Sequence, residues 1–359
     1  MFTKTSEQKP MKDVNNLLNP PFPRSKAFST LVTKSLEGLQ RYYLIMTAWE
    51  SGLFECTVTP KTHKELAQQL GYHPTMTQLF CDALTEVGLL TKKEDTYINS
   101  PLTRNYLSRS SSRCMTNTLE NMKKNAKRWT QLPTILRNGP ITQKRQDFFN
   151  DHWIVSIAEW AEAGSVFNTI KVVASYLNVN SWKRLLDIGG GHGLYSIAFT
   201  ALNPELEAYV FDLPNITPIS CKYIDDYDAK RVHVISGNFY TDDIGQGYDA
   251  IFSSFNQSCS DPELIPKIVN ALNPDGYLVL RRFKDSSRES ALKTLEWNLV
   301  NFEGKKIGSK PHSSGKIVDK EEYIRGLEAA GLIILEIAPV DERSEIVFAR
   351  KPSANRSKR

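Results

Sequence analysis

The second half of the chain alternates between short apolar runs and segments with helical periodicity. Five of the apolar runs predict strands, and they cover Arg184–Ile188, Ala208–Leu213, Arg231–Ser236, Tyr248–Ser253 and Tyr277–Arg281. Runs that are apolar throughout are typical of parallel strands buried on both faces. Leu332–Ala338 and Ser344–Arg350 follow, and the connection between them is too short for a parallel crossover, so we expect an antiparallel hairpin. This alternation predicts a Rossmann-like, doubly wound α/β sheet of seven strands with one antiparallel strand.

Residues 26–109 follow a different pattern, which predicts a separate domain of helices that ends in a short hairpin. Apolar residues recur at helical spacing, at Leu31, Leu36, Leu39, Tyr43, Met46 and Trp49. A capping box from Thr62 to Glu65 opens the next helix, and a third helix is expected over Thr75–Val87. Two strand candidates, Leu89-Leu90 and Tyr97-Ile98, then flank a charged turn. This order of elements is that of an all-helical winged-helix domain with its hairpin wing.

The helix expected over Thr75–Val87 does not suit DNA. A winged helix that reads DNA lays this helix in the major groove, where cations must neutralise phosphates. The segment contains no Lys or Arg and carries Asp82 and Glu86. The whole chain has 45 basic and 40 acidic residues, and its net charge of +5 is too small to indicate a polyanionic partner. We therefore expect a packing or dimerisation module and no nucleic-acid partner.

Composition and segment lengths exclude other classes of protein. No run approaches the ~18 apolar residues of a membrane span, and the N-terminus lacks the apolar core of a secretory signal. The five cysteines are an odd, scattered set without C-x-x-C, which argues against a disulfide framework or a zinc ribbon. We expect a cytoplasmic protein without a metal ion. Its predicted parts are a flexible arm (1–25), the winged-helix domain (26–109), a helical linker (110–180), the α/β domain (181–351) and a basic tail (352–359).

The first strand of the α/β region runs into a glycine-rich turn, LLDIGGGHG, at residues 185–193. The dinucleotide pattern G-x-G-x-x-G does not fit it, because Leu194 or Ser196 falls at the third glycine. A P-loop does not fit either, because no Gly-Lys-Ser/Thr follows. The pattern that remains is D-x-G-x-G-x-G, with Asp187 at the strand end. An acid at this place suits an ammonium or a hydroxyl group better than a pyrophosphate.

Asp212 ends the second strand, in VFDLP, beside the glycine turn. A carboxylate there can accept hydrogen bonds from the 2′- and 3′-hydroxyls of a ribose. The third strand ends in Gly237, Asn238 and Phe239, where an amide and a ring could bracket an adenine. Ligands of such sheets bind at the carboxyl ends of the strands, near a topological switch point. The three segments are expected to converge there.

With these motifs the sequence resembles class I S-adenosylmethionine-dependent methyltransferases. More narrowly it is similar to small-molecule O-methyltransferases of the caffeate, acetylserotonin and polyketide type, which have an N-terminal winged-helix dimerisation domain. The likeness extends over roughly residues 27–350 and also rests on GNF at 237–239 and ALNPDGYLVL at 271–280. It implies S-adenosyl-L-methionine as cofactor, a small-molecule acceptor and a homodimer.

The resemblance also implies which residues bind the cofactor. The methionine end would be held by Asp187, Gly189, Gly190, Gly191 and Gly193. Asp212 would hold the ribose, with Leu213 against the adenine. Asn238 and Phe239 would lie at the adenine, where the family usually has Asp-Phe, and Ser253 completes the expected set.

One segment departs from this family. Members usually carry a His-Asp-Trp segment after the fourth strand, and that His is the general base. The stretch here is SSFNQSCSD at 253–261, so Gln257 or Ser258 falls at the base position, and neither is a base near neutral pH. Either the acceptor needs no strong base, as with a thiolate, an acidic hydroxyl or an activated carbon, or His152 or His312 supplies the base. A third reading keeps the cofactor and loses methyl transfer.

Aromatic residues predict the acceptor pocket, which we expect between the strand ends and helices from residues 110–180 and 290–312. The expected lining is Phe149, Trp153, Trp160, Phe255 and Trp297. His192 is expected to shape the cofactor site, and Cys259 to be a structural thiol. The sequence thus predicts a small-molecule methyltransferase. The alternative is a winged-helix regulator or repurposed enzyme that binds S-adenosylmethionine without methyl transfer.

Overall fold

The computed structural model describes residue 15 and residues 25–144, 151–256, 261–284, 291–302 and 320–353. The chain forms two compact units, residues 1–114 and residues 115–359. The helices after residue 114 belong to the same unit as the large sheet. The finer division into arm, linker and tail stays a prediction. In the described ranges, no helix is both long and apolar enough to cross a membrane.

The N-terminal unit combines helices with a small antiparallel sheet. Its elements are α1 (Ser25–Glu50), α2 (Leu53–Cys56), β1 (Lys61–Thr62), α3 (His63–Leu70), α4 (Pro74–Glu86), β2 (Leu90–Lys93), β3 (Thr96–Asn99) and α5 (Pro101–Tyr106). β2 and β3 form the predicted hairpin, and β1 pairs with the other edge of β3. The predicted capping box opens α3, since the Glu65 amide donates to Thr62 Oγ1 and the Thr62 amide to Glu65 Oε2.

The helix α1 carries an apolar stripe that is largely exposed. The last turns of α1 are buried at Met46 and Trp49. On the preceding turns, Phe28 is 71% exposed and Tyr43 is 60% exposed. The rest of the stripe is Leu31, Leu36 and Leu39. The helical periodicity predicted from the sequence is therefore confirmed, and most of this apolar face is exposed among the described residues of the unit.

The C-terminal unit begins with helices that precede the sheet. These are α6 (Thr116–Trp129), α7 (Leu132–Asn138), α8 (Asp151–Trp160) and α9 (Val166–Tyr176), with the short strand β4 (Ile141–Gln143) between α7 and α8. Strands and helices then alternate, as β5 (Arg184–Ile188), α10 (Leu194–Leu202), β6 (Glu207–Asp212), α11 (Thr217–Asp226), β7 (Val232–Ser236), β8 (Tyr248–Ser254), α12 (Ile265–Ala271) and β9 (Leu272–Phe283). The last elements are α13 (Ala291–Trp297), β10 (Val300–Phe302), α14 (Lys320–Ala329), β11 (Ile333–Pro339) and β12 (Ser344–Arg350).

The large sheet has seven strands in the order β11-β12-β9-β8-β5-β6-β7. Neighbouring strands from β9 to β7 are parallel, and β12 is antiparallel to both β9 and β11. The predicted doubly wound sheet with one antiparallel strand is therefore confirmed. The chain moves outwards from β5 to β7 and returns to the other side of β5 at β8. This places the topological switch point between β5 and β8, where ligands of such folds bind.

Apolar residues cover both faces of the sheet, as nearly continuous apolar strands require. On one face, Trp182, Phe199 and Phe252 belong to a buried cluster. On the other face, Leu186 and Ile251 belong to a second cluster. Because these two layers fill both faces, the carboxyl ends of the strands are the part of the sheet left for a ligand.

Candidate active site

The glycine turn after β5 has a backbone that only glycine adopts without strain. Gly189, Gly191 and Gly193 have φ angles of +69°, +56° and +73°. The Gly189 amide donates to the carbonyl of Phe211 at 2.8 Å, which fixes the turn against β6. A Cβ on Gly190 would stand 2.7 Å from the carboxyl carbon of Asp187. The turn is thus a tight backbone surface at the switch point, and side chains would fill it.

Asp187 lies at the end of β5 and is almost fully buried, with 1% of its surface exposed. Ser196 Oγ, from the first turn of α10, donates to Asp187 Oδ2 at 3.0 Å. Burial raises the pKa of Asp187 to about 7, although the bond from Ser196 opposes the rise, and the charge of Asp212 adds to it. The group therefore changes charge near neutral pH, and a cation placed beside it would favour the ionised form.

Asp212 connects β6 to the glycine turn. Its Oδ2 accepts the Gly191 amide at 2.8 Å, and its Oδ1 accepts the Leu213 amide at 2.7 Å. Burial raises the pKa of Asp212, while these two backbone hydrogen bonds oppose the rise. Each carboxylate oxygen has a further lone pair, so the side chain can still accept hydrogen bonds from a diol. The predicted adjacency of the turn and this acid is therefore present, at hydrogen-bond distance.

The remaining predicted cofactor residues lie at the ends of neighbouring strands. Ser253 is buried in β8 and its Oγ donates to the Ile188 carbonyl at 3.2 Å, so it ties β8 to β5. Leu213 is half-buried directly after Asp212. Asn238 Oδ1 accepts the Tyr240 amide at 3.1 Å, and the Phe239 ring is buried in an apolar cluster. Their roles toward an adenine stay predictions.

His192 is buried inside the glycine turn. Its Nδ1 accepts the Leu194 amide at 3.1 Å, which places the proton of the neutral ring on Nε2. Burial lowers the pKa of His192 to about 4. The ring is therefore neutral at physiological pH, with one nitrogen engaged by the backbone. This arrangement fits the prediction that His192 shapes the turn.

Among the predicted general bases, His152 is the one that lies within the described residues. His152 lies on the exposed side of α8, and its Nδ1 is 3.0 Å from Asn117 Oδ1 on α6. Gln257, Ser258 and His312 lie outside the described residues, as does Cys259. The identity of a base is therefore still a prediction.

The two helical segments predicted to line the acceptor pocket do meet. β4 pairs in parallel with β10, and the rings of Trp153 and Trp297 are 6.3 Å apart. Trp160, in contrast, is 60% exposed, and Phe149 lies outside the described residues. The structure thus brings together two of the five aromatic residues expected in the lining, which stays a prediction.

Near the strand ends, the sequence reasoning missed Arg281 and gave Asn256 no role, and it expected Phe255 only in the lining of the acceptor pocket. Arg281 is a buried arginine near the end of β9, and Phe255 follows β8 with a φ of +55°. Asn256 lies against the glycine turn, because a Cβ on Gly189 would occupy the position of its side-chain amide. A signal was available for the first of them, since two arginines interrupt an apolar strand in YLVLRRF. Around these residues, and elsewhere in the described ranges, no group of three or more His, Cys, Asp or Glu is arranged to hold a metal ion.

The sheet order, the glycine turn and the two acids beside it define a class I S-adenosylmethionine-dependent methyltransferase. The O-methyltransferase domain family matches residues 158–308. An uncharacterised protein of Methanocaldococcus jannaschii is 34% identical over 309 residues, which cover 84% of this chain and 83% of that protein. The chain belongs to the O-methyltransferase family, a family of S-adenosylmethionine-dependent enzymes.

More distant relatives include named enzymes. The tetracenomycin polyketide synthesis 8-O-methyl transferase TcmO of Streptomyces glaucescens is 27% identical over 80% of this chain and 86% of its own. Among solved structures, an O-methyltransferase family protein of Burkholderia thailandensis has a TM-score of 0.72 and 21% identity, over 91% of this chain and 98% of its own. Human N-acetylserotonin methyltransferase, solved with S-adenosylmethionine, has a TM-score of 0.67 and 17% identity, over 93% of this chain and all of its own. The solved structures show that the fold is shared.

Proposed function

We propose that this chain binds S-adenosyl-L-methionine and transfers its methyl group to a small molecule. The contact between Asp212 and Gly191 carries this proposal, because it joins an acceptor suited to a ribose diol to an open glycine backbone. The fit is supported by Gly191, whose backbone is left open, since the nearest atom to a Cβ there is Ile154 Cγ2 at 4.0 Å, and by Asp187, a carboxyl group at the strand end. Asp212 would hold the adenosine part of the cofactor, and the glycine turn would hold its aminobutyrate part.

The chain's own contribution to methyl transfer is binding and orientation. When bound, the cofactor supplies a methyl group on a sulfonium, which is a strong leaving group. Asp212 and the glycine turn would hold the cofactor and so orient its methyl group toward an acceptor. The ionised form of Asp187 offers a negative charge to the cationic cofactor.

Proton removal sets the class of acceptor in this proposal. His192 is neutral and its Nδ1 is engaged, and His152 lies on an exposed helix face. The family's base position holds Gln257 or Ser258 in this sequence. We therefore propose an acceptor that reacts without a strong protein base, such as a thiol that ionises readily, an acidic phenol or an activated carbon.

Calorimetry on the wild type and on Asp212→Ala tests cofactor binding. We expect S-adenosylhomocysteine to bind the wild type with a Kd of about 1–10 μM, and Asp212→Ala to weaken it at least about tenfold, which is about 1.4 kcal/mol. Asp226→Ala, on the exposed end of α11, is the matched control and should bind like the wild type. Absence of binding to the wild type contradicts the proposal. Acceptors are then screened by S-adenosylhomocysteine release, with thiols and acidic phenols first.

We further propose a homodimer, in which the N-terminal unit serves as a winged-helix dimerisation module. The exposed apolar stripe of α1 supports this, since a contiguous apolar face on one chain indicates a partner surface. Sedimentation of the wild type and of Leu36→Glu tests it. We expect the wild type to sediment as a dimer and the variant as a monomer, and a monomeric wild type would contradict the proposal.

A further inference from the structure

Phe255, directly after β8, has a backbone conformation that bulky side chains rarely adopt. Its φ is +55°, in the left-handed region. The other non-glycine residues with positive φ in the described ranges are polar, namely Glu94, Asp228 and Asp275. A strained residue persists only where its surroundings over-determine its position, and such residues cluster at functional sites. The contacts that hold Phe255 therefore indicate which part of the site depends on this strained conformation.

Arg281 and Phe283, two residues apart on β9, hold Phe255 in place. The Phe255 amide donates to the Arg281 carbonyl at 2.9 Å. The guanidinium carbon of Arg281 lies 4.4 Å from the centre of the Phe255 ring, and the Phe283 ring stacks on it at 4.3 Å. A backbone hydrogen bond, a cation–π contact and a ring stack thus fix both the main chain and the side chain of Phe255.

Arg281 is itself fixed by elements that are remote in sequence. It is 2% exposed and donates five hydrogen bonds of 2.6–3.1 Å, to Ser165, Thr169, Tyr195, Asp341 and Ser344. Tyr195 lies in the first turn of α10, immediately after the glycine turn, and its ring centre is 5.8 Å from that of His192. The guanidinium therefore connects the helix that follows the glycine turn to the residue that follows β8.

Asn256 is the next residue, and it lies against the glycine turn. A Cβ on Gly189 would overlap the side-chain nitrogen of Asn256, so the amide covers this glycine directly. The direction in which the chain leaves β8 is set at Phe255. The contacts of Phe255 therefore determine whether Asn256 reaches Gly189.

We propose that Arg281 and Phe255 are positioning residues for methyl transfer, which seat the Asn256 amide against Gly189. The amide then forms one wall of the place that takes the aminobutyrate part of the cofactor. This inference rests on the proposed function, because that function assigns this part of the cofactor to the glycine turn. The positioning residues act on the cofactor through Asn256.

Phe255→Gly separates positioning from stability. Glycine tolerates a positive φ, so the variant adds no backbone strain, but it loses the ring contacts to Arg281 and Phe283 that hold this conformation in place. Binding is measured by calorimetry with two probes, S-adenosylhomocysteine and 5′-methylthioadenosine, and thermal unfolding is recorded in parallel. The second probe lacks the aminobutyrate part. We expect S-adenosylhomocysteine to bind about tenfold more weakly and 5′-methylthioadenosine to bind within about twofold of the wild type.

Asp275→Gly is the matched control, because it relieves a φ of +61° at the amino end of β9, opposite to the glycine turn. It should leave both affinities unchanged. If Phe255→Gly does not fold, Arg281→Lys, which keeps the charge and loses the planar fork, must show the same split between the probes. Unchanged affinities, or equal losses for both probes, overturn the inference. A wild type that does not bind S-adenosylhomocysteine overturns the proposed function and the inference with it.

Discussion

Two regions at the carboxyl ends of the strands differ in how their residues are held in place. We call them the glycine-turn corner, which is the turn after β5 with Asp212, and the Phe255 corner, which is Phe255 with Arg281 and Phe283. At the glycine-turn corner, Asp212 reaches Gly191 across 21 residues of sequence, within a single β-α-β unit. At the Phe255 corner, Arg281 reaches partners that lie 60 to 116 residues away. The first corner is a local motif with regular spacing. The second depends on residues that no motif connects.

This contrast indicates that the two corners have different roles in the proposed reaction. The glycine-turn corner has the geometry shared by a large family, and the cofactor is common to that family. Phe255 is followed closely by the segment where this sequence departs from the family, in which Gln257 or Ser258 is predicted to fall at the base position. We therefore expect variants at the first corner to act on cofactor binding, and variants at the second to act on stability and on the seating of Asn256.

The largest expected effect is that of Arg281→Met on stability. The variant removes a guanidinium that is 2% exposed and hydrogen-bonded to five partners, and at roughly 0.5–1 kcal/mol for each hydrogen bond the loss is about 3–5 kcal/mol. Asp341 is 41% exposed and keeps hydrogen bonds from Arg343 and Ser344, so the buried hydroxyl groups account for most of this loss. The measurement is the free energy of unfolding in urea. Arg184→Met is the control, because Arg184 stacks on Tyr209 and Tyr248 at the amino-end side of the sheet. This variant should lower the free energy of unfolding by about 1 kcal/mol. Equal losses for the two variants would remove the contrast between the corners.

Gly189→Ala should have the largest effect on binding. The added Cβ meets the Asn256 amide, and the φ of +69° is strained for alanine. We expect S-adenosylhomocysteine affinity to fall about 100-fold, or about 2.7 kcal/mol, as measured by calorimetry. Gly331→Ala is the matched control, since its φ is +89° and nothing lies within 4 Å of the new Cβ. If both variants bind alike, Asn256 does not cover the turn.

The same contrast explains what the sequence predicted. The seven-stranded sheet with its antiparallel strand and the position of Asp212 beside the glycine turn follow from apolar runs and glycine spacing, because both are properties of short, continuous segments. The capping box of α3 was predictable for the same reason. Arg281 was visible only as a charge in an apolar strand, and its partners on α9 and at the start of β12 could not be read from spacing.

Burial also escaped the sequence reasoning. Trp160 was expected to line a pocket, and its side chain is exposed. The sequence showed a histidine at position 192, but it did not show that burial lowers the pKa of that side chain. Both depend on what packs around a side chain in three dimensions. A pattern indicates which face of a helix is apolar, but it does not indicate which other element covers that face.

Asp187→Asn tests the buried acid through pH. Because burial raises its pKa to about 7, Asp187 favours the folded state when protonated, and this stability is lost as pH rises from about 4 to about 7. The free energy of unfolding of Asp187→Asn, measured relative to that of the wild type, should therefore rise by roughly 2 kcal/mol between pH 5 and pH 8, since one pKa unit is about 1.4 kcal/mol. Ser196→Ala removes the hydrogen bond that lowers the pKa of Asp187, so the loss of stability should extend to higher pH in this variant. If the difference in free energy of unfolding between Asp187→Asn and the wild type does not change with pH, Asp187 does not have a raised pKa in the folded protein.

The smallest effect is expected for His192→Asn, which tests whether the glycine-turn corner holds a base. Asn can still accept the Leu194 amide, so the free energy of unfolding at pH 8 should fall by less than about 1 kcal/mol. Burial lowers the pKa of His192 to about 4, so the wild type loses stability as pH falls from about 6.5 to about 4, and the variant does not. His233→Asn, on the exposed side of β7, is the surface control.

The decisive readout for His192→Asn is the pH profile of methyl transfer to an acceptor found by screening. A neutral ring whose Nδ1 is engaged takes no proton from the acceptor, so the variant should keep the profile of the wild type. The acceptor's own ionisation then sets the rise of the rate with pH. A profile that moves or flattens in the variant would make His192 the base, and the glycine-turn corner would then carry proton transfer as well as cofactor binding.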